Sequence, residues 1–144
     1  MGLYYSGELV ALMTFGKPRF NKNYEWELVR FCAKGGMSVV GGASKLFKYF
    51  VKEYKPSSIL SYSDIAKTRG NLYDLLGFSC VGTTKPNYVW VNHNTVLSRY
   101  QCQKHLIIEQ GFGGLGNTEN SIMQNRGFVK VFDCGMRVHI WRLK

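Results

Sequence analysis

Residues 39–45 read Val-Val-Gly-Gly-Ala-Ser-Lys, and this stretch joins an apolar segment to the start of an amphipathic helix. Glycines at such a junction let the backbone approach a ligand closely, and the free N–H groups of a helix N-terminus favour an anion such as phosphate. Neither the Walker pattern nor a full GxGxxG is present, which disfavours the nucleotide folds that those patterns mark. Two interpretations stay open: an anion-binding loop, or a tight strand-to-helix turn without a ligand.

The segments on both sides of this stretch predict a mixed α/β core. Short apolar and alternating runs bounded by Gly, Pro and Asn predict strands, and an apolar stripe at helical spacing that stops before Pro56 predicts the central helix. The elements expected in the core, in chain order, are strands over residues 3–5, 9–15 and 24–33, a helix over 43–54, a strand over 57–63, a helix over 71–76, and strands over 78–84 and 88–91.

The pattern changes after residue 92, so we expect a core over residues 1–92 and a small helix–hairpin appendage over residues 93–144. Four glycines interrupt its helical stretches, and Thr118 has the chemistry of an N-cap. The elements expected there are helices over residues 97–110 and 118–126, and a hairpin formed by residues 128–132 and 137–143. That hairpin could instead complete the core sheet or contact a second copy of the chain.

The chain of 144 residues has a surplus of positive charge, with 19 Lys and Arg against 9 Asp and Glu and a net charge of +10. Such a surplus predicts an anionic partner, and nucleic acid fits it well because Lys and Arg neutralise phosphates. An acidic protein is the alternative. The residues expected to contact nucleic acid are Lys17, Arg19, Lys22, Lys67, Arg69, Arg99 and Lys104.

Lysines also recur along one side of the predicted central helix, at positions 45, 48, 52 and 55. This stripe has two interpretations, a phosphate-binding surface or an ordinary solvated helix face. Aromatic residues interleave with the cations and have the flat faces on which bases stack. The candidates are Phe20, Tyr24, Tyr62, Tyr73, Tyr88 and Tyr100.

The cysteines and histidines do not have metal-ligand spacing. Cys32, Cys80, Cys102 and Cys134 are far apart and include no CxxC, so we expect no metal and reduced thiols that lie mostly in the core. The three histidines are expected to be ordinary structural residues. The first residues do not have the pattern of a signal peptide, and no apolar run approaches the ~18 residues of a membrane span.

Four polar residues are candidates for catalysis. Asp64 follows a predicted strand, where a carboxylate can act as a base or orient an amine, or can simply cap the next loop. Tyr73 is a proton donor to a leaving group or a core aromatic with an exposed hydroxyl. The other two candidates lie on the strand of residues 24–33, where alternation puts Trp26, Leu28 and Arg30 on one face and Glu27 with Val29 and Phe31 on the other. Either Glu27 or Arg30 is therefore expected to face a functional surface.

The order of these elements, together with YDLLGF at residues 73–78, resembles the GNAT acyltransferase fold. The resemblance implies a mixed α/β (α+β) sheet with a central helix after a Gly-rich loop, truncated at its N-terminus. In that family this loop holds the pyrophosphate of an acyl donor such as acetyl-CoA, and a basic residue normally stands between its glycines. The donor contacts that the resemblance implies are Val40, Gly41, Gly42, Ala43, Ser44 and Lys45.

Longer segments are similar to two narrower groups. TFGKPRFN, WELVRFC, ILSYSD and GNLYDLLGF resemble the phage Mom-type DNA-modification proteins, GNAT-like enzymes that modify adenine in phage DNA. GLYYSGELVALMTFGKPRFNKNYEWELVRFC and SRYQCQKH resemble the domain that follows the nuclease in phage Hef-type homing endonucleases, although no GIY-YIG, HNH or PD-(D/E)xK pattern is present. The positions that match the Mom-type pattern are Thr14, Phe15, Gly16, Pro18, Glu27, Leu28, Arg30, Ser61, Ser63, Asp64, Gly70 and Tyr73.

Three functions follow as hypotheses. The first is a phage-type DNA-modifying transferase with acetyl-CoA or a related acyl donor, in which Asp64 or Glu27 acts as base or acceptor orienter, Arg30 as a clamp and Tyr73 as acid. The second is a non-catalytic DNA-binding domain, and the third is a phage protein that binds a host protein. All three place the protein in the cytoplasm of an infected cell.

Overall fold

The computed structural model describes residues 1–143, which form two compact units. The first unit consists of residues 1–84 and the residues from Met136 onward, and the second consists of residues 85–135. This division differs from the expected one at residue 92. The reason is that the chain returns to the first unit for its last strand.

The first unit is a mixed α+β structure built on a six-stranded sheet. In sheet order its strands are β1 (Gly2–Tyr5), β2 (Glu8–Gly16), β3 (Trp26–Ala33), β4 (Ser58–Asp64), β9 (Met136–Arg142) and β5 (Ser79–Thr83). β3 and β4 are parallel, and the other neighbours are antiparallel. Helix α1 (Gly42–Tyr54) connects β3 to β4, and helix α2 (Asn71–Leu75) connects β4 to β5. The expected hairpin and both expected core helices are confirmed.

The core of the first unit lies between α1 and the sheet. The buried stripe of α1 consists of Leu46, Phe47 and Phe50, which pack against a cluster that includes Met13 and Ile59. Aromatic contacts are dense here, and the rings of Phe15 and Phe50 stack with centroids 3.6 Å apart. Burying these side chains stabilises the unit because each removes a large apolar area from water.

An irregularity in β3 changes which residues share a face. Thr14 pairs with Arg30 and Phe15 pairs with Leu28, so Val29 is an extra residue on β3. Because cross-strand partners lie on the same face, the extra residue places Glu27 and Arg30 together on the face away from α1. Simple alternation had put them on opposite faces, and that expectation was wrong because the bulge shifts the period by one residue.

The expected hairpin of residues 128–132 and 137–143 is also wrong. The second of these strands is β9, which pairs with β4 over seven residue pairs and with β5 on its other side. The first of them, Val129–Phe132, belongs to the sheet of the second unit. The chain then leaves that sheet at Asp133, whose carboxylate accepts from the Asn87 and Gly135 N–H groups. The strand that completes the sheet is therefore the last one in the chain, which was the alternative left open for this segment.

The second unit has a three-stranded sheet, β7 (Thr95–Ser98), β6 (Tyr88–Asn92) and β8 (Val129–Phe132), in that order. Helix α4 (Glu119–Asn125) is capped by Thr118 as expected, and its Ile122 and Met123 pack with Trp90 in the core. The expected helix over residues 97–110 is wrong, because its first residues form β7 and helix α3 (Lys104–Ile107) is one turn long. A π-helical turn, Ile108–Phe112, and a 3-10 turn, Gly113–Leu115, follow α3.

The cysteines are free thiols, but their placement differs from the expectation of a mostly buried set. Cys102 is buried in the second unit, where burial raises the pKa of its thiol, whereas Cys32, Cys80 and Cys134 are exposed. Within the part of the chain that the structure describes, no helix has the length and apolar character needed to cross a membrane.

Candidate functional site

The two parallel strands of the first unit stay paired for a very short distance. β3 and β4 pair at Trp26–Ile59 and Glu27–Leu60 and then separate. At the point of separation the Ser61 hydroxyl lies 2.7 Å from the carbonyl oxygen of Leu28, so a side chain bonds this carbonyl. Because α1 runs from the carboxyl end of β3 back to the start of β4, the helix N-terminus lies at the end of the sheet where the strands separate.

A buried polar cluster lies at this separation, on the side of the sheet that carries the helices. The Tyr73 hydroxyl donates to the Tyr62 carbonyl at 3.1 Å and lies 3.0 Å from the Ser61 hydroxyl. The Tyr73 ring stacks on the His139 ring with centroids 4.2 Å apart. His139 Nε2 in turn lies 2.8 Å from the Ser63 hydroxyl. The cluster thus links α2, β4 and β9; Ser61, Ser63 and His139 are buried, and Tyr73 is half-buried.

His139 is the member of this cluster that sequence reasoning missed, since an isolated histidine has no distinguishing pattern. Burial lowers its pKa, and it is 1% exposed. Its Nδ1 atom is buried without a hydrogen-bond partner among the described residues. Gly70 lies directly against it with φ of +87°, and a Cβ at this position would stand 2.9 Å from His139 Cε1. The close approach explains why glycine is required here.

On the opposite face of the sheet, Glu27 is buried and bonded to Arg19. One Glu27 carboxylate oxygen accepts from Arg19 Nε at 2.9 Å and from its Nη2 at 2.6 Å, and the other accepts from the Arg19 backbone N–H at 2.8 Å. Three charge-assisted bonds fix the loop of residues 17–25 to β3. Glu27 therefore acts as an anchor for this loop, and Arg19 is already neutralised by it.

The anchored loop presents aromatic and cationic side chains to solvent. Phe20 is 78% exposed and meets the Tyr62 ring edge-on, with centroids 6.3 Å apart. The Lys17 ammonium lies 5.4 Å from the centroid of the Trp26 ring, and the Lys22 ammonium donates to the Pro18 carbonyl. Burial, and then the negative charge of Glu27, raise the pKa of Tyr62. The loop therefore exposes one aromatic ring beside two lysines that contacts within the protein hold in place.

The four candidate catalytic residues do not form one cluster. Asp64 accepts from the Ala66 N–H at 2.9 Å and lies 3.8 Å from the Lys67 ammonium, so its carboxylate organises the turn after β4. Its position in the register of β4 puts it on the same face as Glu27 and Arg30, where Arg30 is exposed. Tyr73 lies on the helix side. The sheet therefore separates the candidate acid from the candidate carboxylates.

The glycine stretch forms the N-terminus of α1. Gly41 adopts φ of +69° at the cap position, and no side chain of the described residues caps the helix. The Gly42 N–H donates to the Val39 carbonyl at 3.0 Å, so the first-turn donors without an acceptor among the described residues are the Ala43 and Ser44 N–H groups. Beside them lies a groove of about 400 Å³ whose walls include Tyr4, Tyr5 and Lys45, while Val40 is 95% exposed at its rim.

The remaining cations lie apart from this site or outside the first unit. Lys67 and Arg69 are exposed in the turn after β4. In the second unit, Arg99 lies 5.5 Å from the Tyr88 ring centroid, and Lys104 is exposed at the start of α3.

Among residues 1–143, no group of three or more His, Cys, Asp and Glu side chains has the arrangement of a metal site. No protein-family model matches the sequence, and no curated protein matches it significantly.

Stability of the protein should depend on pH through His139. Its folded-state pKa is lowered by burial, so protonation favours the unfolded chain. Neutral His139 therefore stabilises the fold fully above the ordinary histidine pKa of about 6.5, and this contribution is lost as the pH falls below that value. Urea unfolding at about pH 7.5 and pH 5 should show a smaller pH difference for His139→Gln than for the native protein. His105→Gln, at an exposed residue of α3, should keep the native difference in unfolding free energy between the two pH values. The same difference in His139→Gln as in the native protein would contradict the role of His139 in the pH dependence.

The Glu27 anchor should contribute much more to stability than an exposed ion pair. Glu27→Gln keeps the shape but removes the charge from three hydrogen bonds, and we expect a loss of about 2 kcal/mol in urea unfolding followed by tryptophan fluorescence. The matched control is Glu8→Gln, which removes the exposed pair with Lys34 and should cost less than about 0.5 kcal/mol. Equal losses in the two variants would show that Glu27 does not anchor the loop.

Proposed function

We propose that the first unit is a GNAT-like transferase core that modifies DNA with an acyl donor such as acetyl-CoA. The observation that carries the proposal is the coincidence of two features at one end of the sheet: the separation of β3 from β4, and the uncapped N-terminus of α1 at Gly41 and Gly42. The order of elements from the hairpin to α2 agrees with the resemblance found in the sequence. The donor, the DNA acceptor and the phage setting are all parts of this proposal.

The donor half of the proposal rests on the glycine stretch and its groove. A pyrophosphate would accept hydrogen bonds from the first-turn N–H groups of α1 and benefit from the helix dipole. Lys45, exposed in the first turn, would supply the positive charge that the stretch itself lacks. The apolar and aromatic parts of the donor would lie against Tyr4, Tyr5 and Val40.

The chemistry assigned to the chain's own residues is proton transfer and positioning. The donor supplies an acyl thioester, and its transfer to an amine breaks the C–S bond and forms a C–N bond. Tyr73, whose hydroxyl lies at the separation of the strands, would give its proton to the leaving thiolate. Arg30 would clamp a phosphate of the acceptor strand from the opposite face of the sheet. Asp64 lies on that face with Arg30, so it is assigned to the turn after β4 rather than to the reacting atoms, and the proton of the attacking amine would pass to water. Glu27 is assigned to the anchor of the loop rather than to base catalysis, because all its bonds go to Arg19.

The acceptor half of the proposal rests on the anchored loop of residues 17–25. Phe20 is held next to Tyr62 and remains open to solvent, which is the arrangement of a stacking platform for bases. Lys17 and Lys22 flank it and would contact phosphates. Since Lys and Arg contacts release counterions, the resulting affinity for DNA would fall as salt is added.

Donor binding can be tested at Val40, whose exposed side chain makes the fold insensitive to its replacement. Val40→Asp places a carboxylate next to the proposed pyrophosphate, and we expect about a tenfold weaker affinity for acetyl-CoA in isothermal titration calorimetry. Val40→Asn has the same shape as Val40→Asp without the charge, so it loses only the apolar contact and should bind acetyl-CoA more tightly than Val40→Asp does. Equal affinities for the two variants, or no heat with the native protein, would rule out a donor site at this helix.

DNA binding can be tested at Phe20. Replacement by Ala should weaken the affinity for single-stranded DNA by about 1–3 kcal/mol in fluorescence anisotropy, with the salt dependence unchanged because stacking involves no ions. Lys17→Gln should instead reduce the salt slope by about one, as expected for a phosphate contact. Tyr49→Ala, an exposed aromatic on α1, is the matched control and should have no effect. Binding that does not depend on salt would contradict phosphate contacts.

A non-catalytic DNA-binding module is the second candidate. It is favoured by the bonds of Asp64 and Tyr73, since the carboxylate organises a turn and the hydroxyl donates to a backbone carbonyl. This candidate requires salt-dependent DNA binding without any acetyl-CoA binding. The calorimetric and anisotropy experiments together therefore distinguish the two functions.

A further inference from the structure

The first unit has a second groove that the proposed function does not use. It has a volume of about 430 Å³ and lies on the helix side of the unit, along α1 and beside the end of α2. Its apolar walls come from both helices and from β9, and two lysines of α1 stand at its edge. The residues that form it are Ser44, Phe47, Lys48, Val51, Lys52, Leu75, Leu76 and Trp141.

The groove exists because the two helices differ in length. α1 has 13 residues and α2 has 5, so the helical layer next to the later turns of α1 is incomplete. The lining residues of α1 extend from Ser44 to Lys52, which corresponds to about 12 Å along the helix axis. Apolar anchors at positions i, i+4 and i+7 of a helix span about 10 Å, so the groove has the length of two helical turns.

The apolar lining is open to solvent. Leu75 is 79% exposed at the end of α2, and Val51 and Trp141 are half-buried. Phe47 is buried, whereas Lys48 and Lys52 are exposed, so the floor of the groove is apolar and its α1 edge is cationic. A nucleic-acid backbone has no apolar groups to cover such a floor, whereas the apolar face of a protein helix does.

The lysines at the edge are available for a partner. Lys48 and Lys52 stand one turn apart on α1, and the ion pairs of the described residues are Arg19 with Glu27, Lys34 with Glu8, and Lys67 with Asp64. The same side of α1 continues the positive charge at Lys45 and Lys55. The charge complementary to this edge is negative. Among the described residues, α1, α2 and α4 each carry a single acidic residue, so a second copy of the chain presents no acidic helix face to this edge.

We propose that this groove binds an acidic amphipathic helix of another protein. Apolar side chains of the partner, spaced at i, i+4 and i+7, fill the strip between Phe47 and Leu75, and its flanking carboxylates pair with Lys48 and Lys52. The partner helix completes the helical layer beside α1. The groove shares only Ser44 with the glycine stretch of residues 39–45, and it includes none of the loop of residues 17–25. The proposal therefore does not depend on the transferase assignment.

The test is fluorescence anisotropy with the full chain and a panel of labelled synthetic peptides. Each peptide has Leu or Phe on one helical face and Glu on the flanks. One control scrambles the order so that the apolar face is lost, and the other replaces Glu by Lys. We expect saturable binding of the acidic amphipathic peptides only. No saturable binding by any of them at about 1 mM, or equal binding of the scrambled control, overturns the proposal.

Variants of exposed residues locate the binding surface. Lys52→Glu should weaken the peptide affinity by about tenfold, because it replaces an attraction by a repulsion. Lys104→Glu makes the same charge change in the second unit and should leave the affinity unchanged. Leu75→Ser, on a side chain that contributes little to the core, should also weaken binding about tenfold. Native affinity in Leu75→Ser, or peptide displacement by duplex DNA that is lost in Lys52→Glu, overturns the proposal in favour of a nucleic-acid surface.

Discussion

The early separation of β3 from β4 determines the rest of the first unit. Only Trp26–Ile59 and Glu27–Leu60 are paired in parallel, so the polar backbone groups beyond them need other partners. The Ser61 hydroxyl supplies one at the Leu28 carbonyl of β3, and the Tyr73 hydroxyl donates to the Tyr62 carbonyl of β4. The Ser61 and Tyr73 part of the buried cluster therefore lies where the sheet opens, whereas Ser63 and His139 join it from the continuous pairing of β4 with β9.

The elements near the glycine stretch could be predicted from local patterns. The apolar stripe of α1, the stop before Pro56, and the hairpin of β1 and β2 follow from spacing, breakers and turn chemistry that act within a few residues. Thr118 was also recognisable as a cap, and its hydroxyl accepts from the Ser121 N–H. In each case the physics that decides the structure lies in the segment itself.

The features that could not be predicted depend on distant partners. Val29 is an extra residue only with respect to β2, so alternation along β3 could not reveal that Glu27 and Arg30 share a face. Nothing near residues 128–143 shows that β9 lies between β4 and β5. The pairing of β9 with β4 places His139 in the cluster, where burial lowers its pKa. Residues 97 and 98 were expected to begin a helix, but pairing with β6 makes them part of the strand Thr95–Ser98.

The central position of β9 also affects how the protein is made. A ribosome releases the chain from its N-terminus, so β4 and β5 emerge long before the strand that separates them. Residues 85–135 form a unit of their own and can fold during this interval. Until residues up to Arg142 have emerged, the edges of β4 and β5 that β9 later covers are unpaired, and other chains can pair with them. Its folding is therefore expected to be late and slow, and to benefit from chaperones that shield exposed edges.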